Sequence, residues 1–194
     1  MLHLYDSHAP PDHPYVRMPY AYLTLVQLYT RSRQLDTASV CFTRLRNTSP
    51  WCRFGCERLE TPHHLFVECL CFAETRNRSS QDVIDATSML LREAKTAMTT
   101  TELYLHTARR LFVDDTVWPL HASRYYLGTV PAINASYQIS HVLATKVAQT
   151  WHIASIRLAG QIWGTYRHVV NPSVGKAQRT FDLPTHLKHL HPRE

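Results

Sequence analysis

Apolar residues recur at intervals of three and four through most of the chain, the period of helices with one buried face. Tyr22, Leu25, Val26 and Tyr29 share one such face and predict a helix from Tyr20 to about Gln34, which leaves through the basic run Thr30-Arg31-Ser32-Arg33. Asp36 and Thr37 are suited to cap a second, short helix that carries Val40, Cys41 and Leu45 and stops before Ser49-Pro50. Thr61-Pro62 opens another, since threonine caps and proline is tolerated at the first helical position, and no breaker interrupts His63 to Phe72. Val83, Ala86, Leu90, Leu91, Ala94 and Met98 predict a helix from about Gln81 to Met98, and Leu103, Thr107 and Leu111 a short one after it. Asp114 to Ile133 reads as irregular. The longest stripe, Ile139, Leu143, Val147, Trp151, Ala154, Leu158 and Ile162, predicts a helix from about Tyr137 to Val169 that ends at Asn171-Pro172.

The pattern predicts a mainly α protein, an irregular helical bundle without repeats or a coiled-coil run. Composition agrees: 194 residues, 44% hydrophobic, only 5 glycines, and therefore little material for glycine-rich phosphate loops. No stretch approaches the roughly 18 apolar residues of a membrane span, and Met1 to Pro14 lacks the apolar run of a signal peptide. The expectation is an intracellular protein of nucleus or cytoplasm, not secreted and without a membrane partner. Lys+Arg 21 against Asp+Glu 15 gives a formal charge of +6, which favours a polyanionic partner without identifying one.

Four of the 5 cysteines fall between positions 52 and 71. In a reducing compartment they read as thiols or metal ligands and not as disulfides. Cys52 and Cys56 form C-x3-C around Gly55, and His64 and Cys69 form H-x4-C on the segment that follows, both within the spacing of structural zinc sites. Four such donors close a tetrahedron around Zn2+ and leave no position for water or substrate, so this site would hold a fold together and activate nothing. His63 and Cys71 are spare donors close to the expected set.

Val26-Gln27-Leu28-Tyr29-Thr30-Arg31-Ser32, Arg44-Leu45-Arg46, Ser49-Pro50-Trp51-Cys52 and Glu60-Thr61-Pro62-His63-His64-Leu65-Phe66-Val67-Glu68-Cys69 together resemble the zinc-binding module near the C-terminus of non-LTR retrotransposon reverse transcriptases. The resemblance covers roughly positions 23 to 78 and departs from the family at C-x3-C in place of C-x2-C and at Tyr29-Thr30-Arg31-Ser32-Arg33 in place of Arg-Thr-Gly-His. It implies zinc on Cys52, Cys56, His64 and Cys69, RNA or DNA as partner, and phosphate contacts from Arg44, Arg46, Arg53 and Arg58. It also implies a chain without polymerase, RNase H or endonuclease catalysis of its own. The alternative is a helical zinc-dependent protein-interaction domain. The chain then divides into a flexible segment 1–19, a helical zinc-knuckle module 20–80, a helical extension 81–170 packing on it, and a flexible basic tail 171–194.

Other constellations are weaker. Asp114-Asp115 after Phe112-Val113 imitates a metal-holding carboxylate pair, but two-metal phosphoryl transfer needs a third carboxylate on a neighbouring strand, and only a short helix precedes this pair. Tyr125, Tyr126, Trp151 and Trp163 suit either base stacking or the core. His186, His189 and His191 in the tail suit weak metal binding or a solvated tail equally.

Overall fold

A computed structural model describes residues 21–46, 48–114, 122–131 and 139–170. The segments 1–19 and 171–194, Asp115, and His186, His189 and His191 lie outside the described residues. Among those described the fold is mainly α, as the apolar period predicts. Five α-helices carry it: α1 (Ala21–Arg31), α2 (Ala38–Leu45), α3 (Ala73–Glu93), α4 (Met98–Arg109) and α5 (His141–Val170). No helix of the described residues is long and apolar enough to cross a membrane. The chain divides into two compact units, one through Ile162 and one from Trp163.

In the first unit, α3 and α4 pack against one another across a turn in which Lys95 takes a left-handed conformation. The inner face of α5 buries Leu143, Val147, Trp151, Leu158 and Ile162. Trp151 packs beside Tyr104 of α4 with ring centroids 6.2 Å apart, and its indole N–H donates to Thr87 Oγ1 of α3 at 3.0 Å. The polar edge of a buried tryptophan is thereby satisfied. α5 also passes close to α1: a Cβ placed on Gly160 would lie 2.1 Å from Leu23 Cδ2. The Leu23 side chain thus lies directly over the glycine backbone, in the space a larger residue's Cβ would take.

A single turn of 3-10 helix, Tyr125–Leu127, lies inside the stretch predicted as irregular and forms the pivot of this unit. Tyr125 is fully buried; its ring meets Phe66 and Phe112 edge-on, and its hydroxyl donates to the Phe66 carbonyl at 2.7 Å. Gln27 of α1 donates to the Tyr125 carbonyl at 2.9 Å. Burial pushes the Tyr125 phenol well above its ordinary range, so it remains a donor. Tyr126 stacks on Phe66 at 5.3 Å and is buried too. Tyr125, Tyr126 and Trp151 are therefore core residues and offer no face to a base. In the second unit Trp163 stacks on Tyr166 at 4.8 Å, and both are buried.

The run His63 to Phe72 departs from the continuous helix its sequence predicts. Thr61 caps it as expected, accepting the His64 N–H on its hydroxyl at 3.0 Å. His64–Glu68 then widens into a π turn closed by Cys69 N–H to His64 C=O at 2.7 Å, Cys69 breaks the helix with ψ 122°, and a 3-10 turn, Leu70–Phe72, leads into α3. The departure brings His64 and Cys69 to the same side. At about 100° per residue, positions five apart on an α-helix point about 140° away from each other and cannot face one ion. The widened turn and the break at Cys69 remove that mismatch, as π turns often do at functional sites.

Candidate metal centre

Two segments build the site. The first is a hairpin closed by an antiparallel bridge between Trp51 and Leu59, with Cys52 N–H bonded to Arg58 C=O at 2.9 Å and Glu60 N–H to Pro50 C=O at 2.9 Å. Gly55, at φ +81°, turns the loop between the two cysteines. L side chains at the same φ would be strained. The second segment is the π turn with His64 at its start and Cys69 at its end.

The donor atoms of Cys52, Cys56, His64 and Cys69 all lie within 4.8 Å of one another. Cys69 Sγ stands 4.0 Å from Cys52 Sγ and 3.8 Å from Cys56 Sγ, and all three thiols are free. Sulfurs bound to one zinc ion at about 2.3 Å in a tetrahedron are separated by about 3.8 Å, so Cys69 already stands near that spacing from both of the other thiols. His64 is buried, and its Nε2 has no hydrogen-bond partner. Its Nδ1 meets Glu68 Oε2 at 3.3 Å. An imidazole with one nitrogen held by a carboxylate and the other buried and unpartnered is prepared to ligate through the second. Glu68 is held in turn by Arg58 at 3.1 Å, and Arg58 and His64 keep its carboxyl below the usual range despite the burial that opposes them.

Backbone N–H groups also face the sulfurs. Burial pushes the Cys52 thiol up while the N–H groups of Phe54 and Cys56 pull it down. At Cys69, burial dominates over the N–H of Cys71 and pushes the thiol up to about 12. At Cys56, burial is outweighed by the Leu70 N–H and the neighbouring thiols, with Arg58 assisting, and the thiol is lowered. Amide dipoles aimed at three clustered sulfurs suit thiolates better than thiols. The donor set and its surroundings fit a structural zinc ion, closed on four sides.

The structure separates the spare donors from this set. Cys71 is exposed. His63 turns away, with Nε2 on Asp114 Oδ2 at 2.9 Å and Nδ1 on the Tyr126 hydroxyl at 3.3 Å. Asp114 also accepts the Ser123 N–H at 2.7 Å, so one carboxylate holds both His63 and the segment that leads into Tyr125.

Of the four arginines suggested for phosphate contact, Arg53 and Arg58 belong to the hairpin and Arg44 and Arg46 to the end of α2, each with a protein partner. Arg44 reaches Asp36 Oδ1 at 3.0 Å and the Arg33 carbonyl at 2.8 Å; Arg46 lies over the Phe42 ring at 5.4 Å. Arg53 approaches Glu60 Oε1 at 3.9 Å, and Arg58 holds Glu68. Two residues that donor spacing does not mark belong here. Glu60 is fully buried, and its carboxylate accepts the backbone N–H of Ala38 at 2.6 Å and of Arg53 at 2.8 Å. Trp51, 56% exposed, pairs on the solvent side of the hairpin with Leu59, 48% exposed. An aromatic residue directly preceding the first ligand was the available signal for Trp51.

Compared with protein-family models, curated proteins and solved structures, the chain matches none.

Proposed function

We propose that this chain is a zinc-binding module that binds nucleic acid, has no catalysis of its own, and derives from the C-terminal region of a retrotransposon reverse transcriptase. The observation that carries the reading is the convergence of Cys52, Cys56, His64 and Cys69 on one point with His64 Nε2 unpartnered. The geometry also gives a role to each fixed residue of the resembling stretch Glu-Thr-x-x-His. Glu60 ties α2 to the hairpin, Thr61 caps the π turn and His64 faces the thiols. A closed four-donor shell stabilises a fold and leaves no open position for a reacting group.

On the nucleic-acid side, the Trp51–Leu59 pair is the exposed apolar surface of the hairpin, flanked in sequence by Arg53 and Arg58. Aromatic residues beside cations stack unpaired bases while the cations meet phosphate. The second reading, a zinc-dependent protein-interaction domain, is favoured by the partners that Arg44, Arg46, Arg53 and Arg58 already have, and by the exposed Leu25, Leu28 and Tyr29 on α1.

Two measurements test the proposal. Protein purified without chelator should carry about one zinc per chain, lost in Cys52→Ser; folded protein that carries no zinc as purified and takes none up when it is added rejects the zinc centre. Fluorescence anisotropy with a labelled single-stranded oligonucleotide over a range of salt should show affinity falling steeply with salt. No binding, or binding without a salt slope, rejects nucleic acid and leaves the protein-interaction reading.

A further inference from the structure

Of the charged side chains near the thiols, Glu60 faces Arg53 and Glu68 faces Arg58, two pairs that balance. Arg76, in the first turns of α3, is different. Its side chain is buried, only 6% exposed, and its Nη2 donates to the carbonyl of Cys69 at 2.8 Å. Its Nη1 is buried without any hydrogen-bond partner, and among the described residues no carboxylate lies within ion-pair distance of the guanidinium. The nearby Tyr125 is a neutral phenol donating to Phe66. A guanidinium cannot shed its proton in a protein, so this is a full positive charge in the core with one carbonyl for company. Such an arrangement is unfavourable unless a negative charge stands close by.

We propose that Arg76 is the counter-charge of the metal centre, the buried cation that neutralises a zinc ion held by three thiolates and one imidazole. The inference rests on the zinc reading above. The charge balance is simple: Cys52, Cys56 and Cys69 contribute three negative charges as thiolates, His64 is neutral, Zn2+ contributes two positive charges, and the loaded site carries one negative charge. On loading, each thiol that still holds a proton releases it to water as the metal replaces it. Arg76, fixed to the backbone of the Cys69 ligand itself, supplies the compensating positive charge. Without metal, burial keeps the proton on Cys52 and on Cys69, the residue whose carbonyl Arg76 holds, and the guanidinium is left without its full counter-charge. Arg76 therefore favours the loaded state over the metal-free one.

The prediction has opposite signs in the two states, which a merely structural arginine does not produce. Arg76→Gln keeps a donor for the Cys69 carbonyl and removes the charge; Arg76→Lys keeps the charge. Zinc affinity, measured by competition with a chromophoric chelator, should fall tenfold or more, about the effect of losing an outer-shell partner, in Arg76→Gln and stay within about threefold of wild type in Arg76→Lys. Urea unfolding of the metal-free protein should show Arg76→Gln as stable as wild type or more so, while the zinc-loaded variant is less stable. In cobalt-substituted protein, the thiolate-to-cobalt charge-transfer band should move to longer wavelength in Arg76→Gln. If both states of Arg76→Gln lose stability equally and its zinc affinity is unchanged, the inference is overturned and the zinc reading stands. If wild type takes up no zinc, both fall. Should Arg76→Gln not fold, Arg76→Lys decides alone, and a tenfold loss of affinity there overturns the proposal.

Discussion

The buried carboxylate of Glu60 accepts the Ala38 backbone N–H at 2.6 Å, so the N-terminus of α2 is capped by a residue 22 positions further along the chain. Thr37 occupies the cap position with extended backbone but makes no side-chain cap bond. The same carboxylate takes the Arg53 N–H at 2.8 Å inside the hairpin. One side chain thus satisfies an orphan helix donor and a loop donor together, with the helix dipole in its favour.

Glu60→Ala leaves both donors without their carboxylate, and hydrogen bonds to charged groups contribute about 1.5–3 kcal/mol each when neither water nor another acceptor replaces them. With partial replacement by water, the expected loss is about 2–4 kcal/mol in urea unfolding of the zinc-loaded protein, and Glu60→Gln should lose less because its carbonyl serves one donor. A Glu60→Ala variant as stable as wild type would show that α2 and the hairpin hold their relative position without this contact.

The amino-acid pattern carries the helices well, because burying one face imposes the same period wherever a helix packs; at α1 it misplaces the face, since Leu25 and Tyr29 are exposed while Gln27 and Thr30 are buried beside Val26. α2 and α5 fall within a few residues of expectation; α3 begins at Ala73, well before the predicted Gln81, because its first turns present Arg76 and polar residues that a search for apolar positions does not register. Donor types and spacing likewise marked Cys52, Cys56, His64 and Cys69. What spacing could not carry is direction: His63 and His64 are adjacent, and only the π turn decides which of them faces the thiols. Nor could it carry partners distant in sequence, such as Tyr125 under Phe66, Glu60 on Ala38 or Arg58 on Glu68, since local spacing does not display which surfaces meet.

His64 and Glu68 give the next prediction. Glu68 fixes the imidazole by accepting from Nδ1, which directs Nε2 to the thiols. Removing outer-shell carboxylates of this kind weakens metal binding by about 10–100-fold. Glu68→Ala should show that loss in chelator competition, and Glu68→Gln a smaller one, since the amide oxygen still accepts. Unchanged affinity in Glu68→Ala would mean that the core alone orients His64.

At Gly160 two effects oppose each other. Alanine in place of glycine inside a helix gains about 1 kcal/mol of propensity. Here the new Cβ would lie 2.1 Å from Leu23 Cδ2, 3.1 Å from its Cγ and 3.2 Å from its Cβ, so the Leu23 side chain must turn away and its inner carbons give by a few tenths of an ångström. Overpacking of this kind opposes folding by about 1–3 kcal/mol. Gly160→Ala should therefore be destabilising by about 1–2 kcal/mol in thermal or urea unfolding, with Leu23→Ala recovering much of the loss in the double variant. A more stable Gly160→Ala would show that α1 and α5 are not held at this distance.

The thiols set a dependence on pH whose sign differs with and without metal. Burial raises Cys52 and pushes Cys69 up to about 12, so near neutral pH both hold protons that zinc must displace. Two protons released per ion make apparent zinc affinity fall about 100-fold for each unit of acidification, and any proton on Cys56 steepens the slope. Metal-free protein behaves in the opposite sense. A Cys69 proton bound more tightly in the folded state than at the ordinary thiol value of 9.0 contributes stability that is fully present below pH 9.0. That stability is lost as pH rises from 9.0 toward about 12, because the unfolded chain gives up the proton first. Zinc-loaded protein has no such proton to lose and should hold its unfolding midpoint over the alkaline range in which the metal-free protein declines. Midpoints that decline together over that range would show that Cys69 is not a ligand.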